Sequence, residues 1–223
     1  MLVAARRRDY DGLVRAEPAL LLGPADDVEG KPFTRPSETQ HDAALMAAML
    51  GLERARARSW AATPTGQTIV EERDQAGLRH FLAVPEPGAL LAAHDVTAIG
   101  FFGEAREGRD DELLFELERA VVASFPLYAS QGLLSYYDRE LEGSAFANLI
   151  LFSTPDVPSE WYANAAHERA VETSPQHYHS VRLHKGSIPG PLLADGGLTI
   201  ERTKYFDFDC DPPWRAVRLF APA

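Results

Sequence analysis

Apolar and polar positions alternate with two different periods along this chain, and the switches between them mark its elements. Over residues 40–58, QHDAALMAAMLGLERARAR, the apolar residues Ala44, Leu45, Ala48, Met49 and Leu52 recur at helical spacing among strong helix formers. This predicts one amphipathic helix, with Ser37 or Thr39 as its N-cap. Short apolar or alternating runs follow at residues 59–62, 67–72 (QTIVEE) and 78–84 (LRHFLAV), separated by PTG and DQAG turn signals. They predict a three-strand meander, and the Pro-Glu-Pro-Gly connection after it places a domain boundary near residue 93.

Beyond that boundary the pattern predicts a strand at residues 96–104 (VTAIGFFGE), a long helix at 110–130 and a hairpin of 133–140 (LLSYYDRE) with 146–153 (FANLILFS). A second helix is expected within 155–172, entered at Pro158 and Ser159, and a last strand at 198–208 (LTIERTKYFDF). Strand, helix, strand, strand, helix, strand is the split βαβ order. The expected fold class is therefore α+β: a ferredoxin-like βαββαβ domain over 94–223, after an N-terminal α+β region over 1–93 that is a candidate degenerate second repeat. Both helices of such a unit cover one sheet face. The other face needs burial against the N-terminal meander, a second copy of the chain, or both.

The strand VTAIGFFGE, the long helix, the strand FANLILFS, then Trp161, His167 and the SVRLHKG stretch resemble the dimeric α+β barrel superfamily. That group includes antibiotic-biosynthesis-type monooxygenases, haem-degrading monooxygenases and stress-responsive barrel proteins. The likeness covers roughly residues 94–208 and rests on element order with a diffuse Trp and His pattern. It implies a homodimer and, for an enzyme, cofactor-independent or haem-linked oxygenation. In haem-degrading members an Asn, a Trp and a His cooperate. Here the resemblance carries the His role to His167, whereas Asn164 stands on the same helix and not on the first strand.

Composition narrows the partners. The formal charge of −11, from 33 acidic and 22 basic residues, opposes binding to a phosphate backbone, and the Arg6-Arg7-Arg8 run is followed at once by acidic residues. A single cysteine, Cys210, excludes an intrachain disulfide and fits a reducing cytoplasm. No apolar run approaches the roughly 20 residues of a membrane helix, and MLVAARRRDYDG lacks the apolar core of a signal peptide. Neither nucleic acid nor membrane is expected as a partner.

Four of the seven histidines, His167, His177, His179 and His184, crowd into 18 residues. On a regular strand His177 and His179 share a face and His184 takes the other, so the spacing opposes a simple metal motif and no metal site is expected. His167 and His179 are the candidate acid–base residues. Trp161, Tyr162 and Tyr178 are candidates to line an apolar pocket, and Arg182 to hold an anionic substituent. No GxSxG elbow, GxGxxG loop or EF-hand pattern is present, and the aspartates around Cys210 would raise its thiol pKa.

The expected function is binding of a small apolar or aromatic molecule by a cytoplasmic, dimeric α+β barrel, with monooxygenase-like oxidoreductase activity if it is catalytic. No cofactor is required by this reading, and haem is the candidate if one binds. The alternatives are a non-catalytic barrel serving assembly or ligand binding, and a haem-binding protein.

Overall fold

The computed structural model describes residues 20–60, 62–157, 161 and 164–220. The arginine run at 6–8, Ala61, Pro158, Ser159 and Tyr162 fall outside them. The described chain is α+β, with a mixed nine-strand sheet and five helices. The helices are α1 (Pro36–Arg58), α2 (Pro87–Leu91), α3 (Asp111–Ala123), α4 (Phe125–Ala129) and α5 (Ala165–His177). The strands are β1 (Leu20–Leu22), β2 (Thr68–Arg73), β3 (Arg79–Val84), β4 (His94–Ala105), β5 (Leu133–Glu140), β6 (Phe146–Phe152), β7 (Tyr178–Pro191), β8 (Thr199–Asp207) and β9 (Trp214–Leu219). Their order in the sheet is β1-β9-β8-β7-β4-β6-β5-β3-β2, and every neighbouring pair is antiparallel except β1 with β9.

Several local expectations are corrected. The helix enters at Pro36, whose fixed φ suits a first helical position, and Thr39 is spent on a buried 3.1 Å bond with the Tyr205 hydroxyl instead of on a cap. The meander has two strands, since residue 59 caps the end of α1 and Trp60 packs on the core, while Asp74 Oδ1 accepts from the Ala76 and Leu78 amides to turn β2 into β3. The long helix breaks at Ser124, just before the Phe125-Pro126 pair that opens α4. The second crossover helix runs on to His177, capped by the Asn164 side chain, and the strand after it is β7, not 198–208. Residues 199–207 form the next strand, β8, and β1 and β9 extend the sheet past it.

Each sheet face has its own helical layer. Val96, Ala98 and Phe102 of β4, with Ala147, Leu149 and Leu151 of β6, pack on Met46, Met49 and Leu50 of α1. The opposite face sets Phe81, Ala83 and Phe152 against Val121, Val122 and Phe125 of α3 and α4, with Trp161 beside them. The face assigned above to the meander or a second copy is thus filled by the chain's own long helix. Two glycines of GFFG leave room for large side chains, one on each face: a Cβ on Gly100 would lie 2.5 Å from Met46 Sδ of α1, and one on Gly103 would lie 2.4 Å from the Tyr178 ring on the opposite face.

The buried stripe of α1 also differs from the predicted one. Met46, Met49, Leu50 and Ala57 are buried, whereas Ala44, Ala48 and Leu52 are exposed. Met49 and the partly buried Leu45 keep their predicted place on the core, but the buried side also includes Asp42, Glu53 and Arg54, so apolar spacing alone placed the stripe only in part. Among the described residues no helix is long and apolar enough to cross a membrane.

Candidate functional site

The C-terminal half of α1 does not close tightly on the sheet. Between it and β2, β3 and β5 lies a cavity of about 260 Å³. Strand alternation puts Val70 and Glu72 of β2, His80 and Leu82 of β3, and Tyr137 of β5 on the same face, and the register pairs Val70 with Leu82 and Glu72 with His80. From α1 come Leu52, Glu53 and Arg56, one helical turn of side chains. The Arg56 guanidinium bonds the Glu72 carboxylate across this opening.

Glu53 is only 2% exposed, and among the described residues neither carboxyl oxygen has a hydrogen-bond partner. Ser135 on β5 is near enough to favour the ionised form, as is Arg54, but its hydroxyl is not in bonding geometry and is itself unpartnered. Burial outweighs both and pushes the Glu53 carboxyl up to about 7. A carboxyl poised there gives and takes protons with similar ease at neutral pH.

On the sheet side, His80 joins two groups. Its Nδ1 is 2.7 Å from the Tyr137 hydroxyl and its Nε2 is 3.4 Å from Asp74 Oδ2. The Leu78 and Ala76 amides and the His80 ring hold the Asp74 carboxyl below its usual value, so it is ionised and accepts from Nε2–H. In the neutral ring Nδ1 is then the acceptor of the Tyr137 proton, and the phenol oxygen keeps its lone pairs for the cavity. Burial raises the Tyr137 phenol to about 12. The arrangement sets a buried proton donor, Glu53, and an oxygen acceptor, Tyr137, beside one small cavity whose lining mixes Leu52, Ala55, Val70 and Leu82 with polar and charged side chains.

A second buried polar cluster lies on the opposite face. The Arg79 guanidinium donates to Glu71 at 2.7 Å, Glu118 at 2.8 Å and Asp138 at 3.0 Å, between the rings of Phe81 and Phe115. Burial raises both Glu118 and Asp138, and Asn148 also bonds Asp138. A cavity of about 460 Å³ opens beside Arg79, but each of these carboxylates is already engaged. A third cluster ties α1 to the sheet: Asp42 accepts from Arg182 at 2.5 and 2.9 Å and meets His184 at 2.8 Å, while His184 also meets Thr203 at 2.8 Å. Those donors outweigh the burial of Asp42 and hold its carboxyl below the usual range.

The residues singled out from sequence are dispersed. His167 lies on α5 with its ring 5.3 Å from that of Trp161, and burial lowers it to about 4. Trp161 packs among Phe125, Tyr128 and Phe152. Tyr178 lies at the start of β7 against Phe101 on that same face, and Arg182 points to the α1 face, where it pairs with Asp42. His179 is half-exposed between Arg106 and Asp209. His177, expected on a strand with His179, is instead the buried last residue of α5, so the two rings do not share a strand face. Among the described residues no group of three or more His, Cys, Asp or Glu is arranged to hold a metal ion. The His167 ring packs on that of Trp161 and borders neither of the two cavities described above.

Glu53, His80 and Tyr137 were missed from sequence. Two signals bear on them: a histidine inside the uniformly buried run RHFLAV, and a glutamate on the helical row of Met46, Met49 and Leu50. No family model, curated protein or solved structure matches this chain.

Proposed function

We propose that this protein binds a small molecule in the cavity between α1 and strands β2, β3 and β5 and moves a proton on it. Glu53 is the general acid and base, and Tyr137, oriented by His80 and Asp74, is the second polar contact. The observation that carries this reading is Glu53, a residue of the cavity lining whose carboxyl is buried behind that surface with no partner among the described residues. A buried, unbonded carboxyl costs stability, and such groups concentrate where chemistry uses them. The test is exchange of acidic C–H hydrogens in D2O, followed by NMR on a panel of small ketones, phenols and carboxylic acids. The chain should accelerate exchange in part of the panel, and Glu53→Gln should lower that rate by about 10²–10⁴. Equal rates for both proteins throughout would refute the assignment.

A second reading is a monooxygenase-like oxidoreductase acting on an aromatic substrate. The order β7-β4-β6-β5, antiparallel throughout with α3 and α5 as crossovers, favours it by supporting a ferredoxin-like core of the dimeric barrel kind. Deprotonation of the substrate is a natural opening step of cofactor-free oxygenation, so the two readings share Glu53 and part at O2 consumption. A homodimer would form through a surface other than the sheet face that α1 covers.

A further inference from the structure

We infer that the cavity beside Glu53 selects small uncharged molecules bearing a carbonyl-type oxygen, to which the Glu53 carboxyl donates its hydrogen bond. This rests on the acid–base reading of the same cavity and adds the class of ligand.

Size and charge both argue for it. A volume of about 260 Å³ sits just under the usual range for ligand sites and suits a compact molecule of one ring. The walls supplied by Leu52, Val70 and Leu82 reward apolar surface. A carboxylate ligand would need an unengaged cation, but Arg56 is bonded to Glu72, and Arg54 donates to the Leu192 carbonyl at 2.6 Å and the Gly196 carbonyl at 2.9 Å. An ammonium ligand would need Glu53 ionised, which its burial opposes, and the other carboxylate of the cavity, Glu72, is held by Arg56. A neutral acceptor oxygen meets neither obstacle and satisfies a buried donor that has no other partner among the described residues.

Binding is then linked to protonation. Arg54 from α1 and Ser135 and Tyr137 from β5 act on Glu53 or feel its charge, and Arg56 from α1, Glu72 from β2 and His80 from β3 line the same cavity. Only the acid form of Glu53 donates. With its carboxyl near 7, the acid fraction falls about tenfold between pH 6 and pH 8, and the affinity for a carbonyl ligand falls with it.

Three probes of matched shape test this: cyclohexanone, cyclohexylamine and cyclohexanecarboxylate, titrated by NMR into the full chain at pH 6 and pH 8. Cyclohexanone should bind tightest at pH 6 and weaken about tenfold at pH 8, with proton uptake on binding at pH 8. Glu53→Gln retains a donor and should bind cyclohexanone equally at both pH values. Ala55→Trp, on the exposed helix surface at the cavity rim, should abolish binding without altering Glu53, and serves if the first variant does not fold. Tighter binding of the amine or the acid at pH 6, or cyclohexanone affinity that is undetectable or does not change with pH, overturns the inference. If cyclohexanone binds as described but its α-hydrogens do not exchange, the ligand class stands and the catalytic reading falls. Glu53-dependent exchange confined to carboxylic acids would remove the ligand class alone.

Discussion

Replacing Glu53 by Gln should make the protein more stable at alkaline pH and leave it nearly unchanged in acid. In the unfolded chain this carboxyl titrates near 4.5, and in the folded chain burial raises it to about 7. The folded state therefore binds its proton more tightly. Its contribution to stability is fully present below about pH 4.5 and is lost as pH rises toward 7, where the buried group must ionise. The shift from 4.5 to about 7, at about 1.4 kcal/mol per unit, makes the total loss about 3 kcal/mol. Gln is close in shape and does not titrate, so subtracting the variant's stability curve from the parent's isolates this one group. Urea unfolding followed by tryptophan fluorescence at half-unit steps from pH 5 to pH 8 provides the curves. The difference should grow by roughly 2–3 kcal/mol in favour of Glu53→Gln over that interval. Parallel curves would mean that Glu53 has an unshifted carboxyl and would remove the basis for its role as a proton donor at neutral pH.

Other substitutions test the remaining clusters by equilibrium unfolding. Arg79→Met strands Glu118 and Asp138 on the α3 face and should cost about 3–5 kcal/mol at pH 7, with part recovered at pH 5 as those raised carboxyls protonate. Asp42→Ala should cost a similar amount by leaving Arg182 and His184 without their shared acceptor, whereas Asp42→Asn should cost less. Gly103→Ala presses on the stiff Tyr178 ring and should cost about 1–3 kcal/mol, more than Gly100→Ala, whose clash is with the flexible end of Met46. Asn164→Ala removes the cap of α5 and a 2.7 Å bond to Ser124, and should lower stability by about 1 kcal/mol.

The C-terminal half of the chain was the more legible. Its strands β4, β5 and β6 carry long apolar runs bounded by clear turns, and the pattern placed them within a residue or two. The end of the sheet formed by β9 and β1 was not legible: β1 is three residues long, and β9, WRAVRL, alternates charge with apolar residues after a Pro pair that reads as an end. The histidine cluster misled because density along the chain is not proximity. A helix end at His177 followed by strand sends His167, His177, His179 and His184 to four separate environments. The candidate site drew one residue from each of α1, β3 and β5, separated in sequence by tens of positions, with no motif to join them.

Helix α1 explains why the two buried carboxylates on it have different fates. Asp42 and Glu53 share its sheet-facing side, and both lie under a layer of packed side chains. Asp42 meets β7, where Arg182 and His184 present three nitrogen contacts, and it stays ionised as a fixed tie between layers. Glu53, three turns further on, meets β5 at a serine hydroxyl that does not bond it, beside a gap that the small-sided helix leaves open. The same helix that seals the central strands in its first half therefore leaves an unsatisfied acid at a cavity in its second. Supplying Glu53 with a partner tests that division of labour: Ser135→Lys should ionise it, raise stability at pH 8 relative to pH 5, and abolish cyclohexanone binding at both. If Ser135→Lys folds and still binds cyclohexanone with its pH dependence intact, Glu53 is not the donor in that cavity.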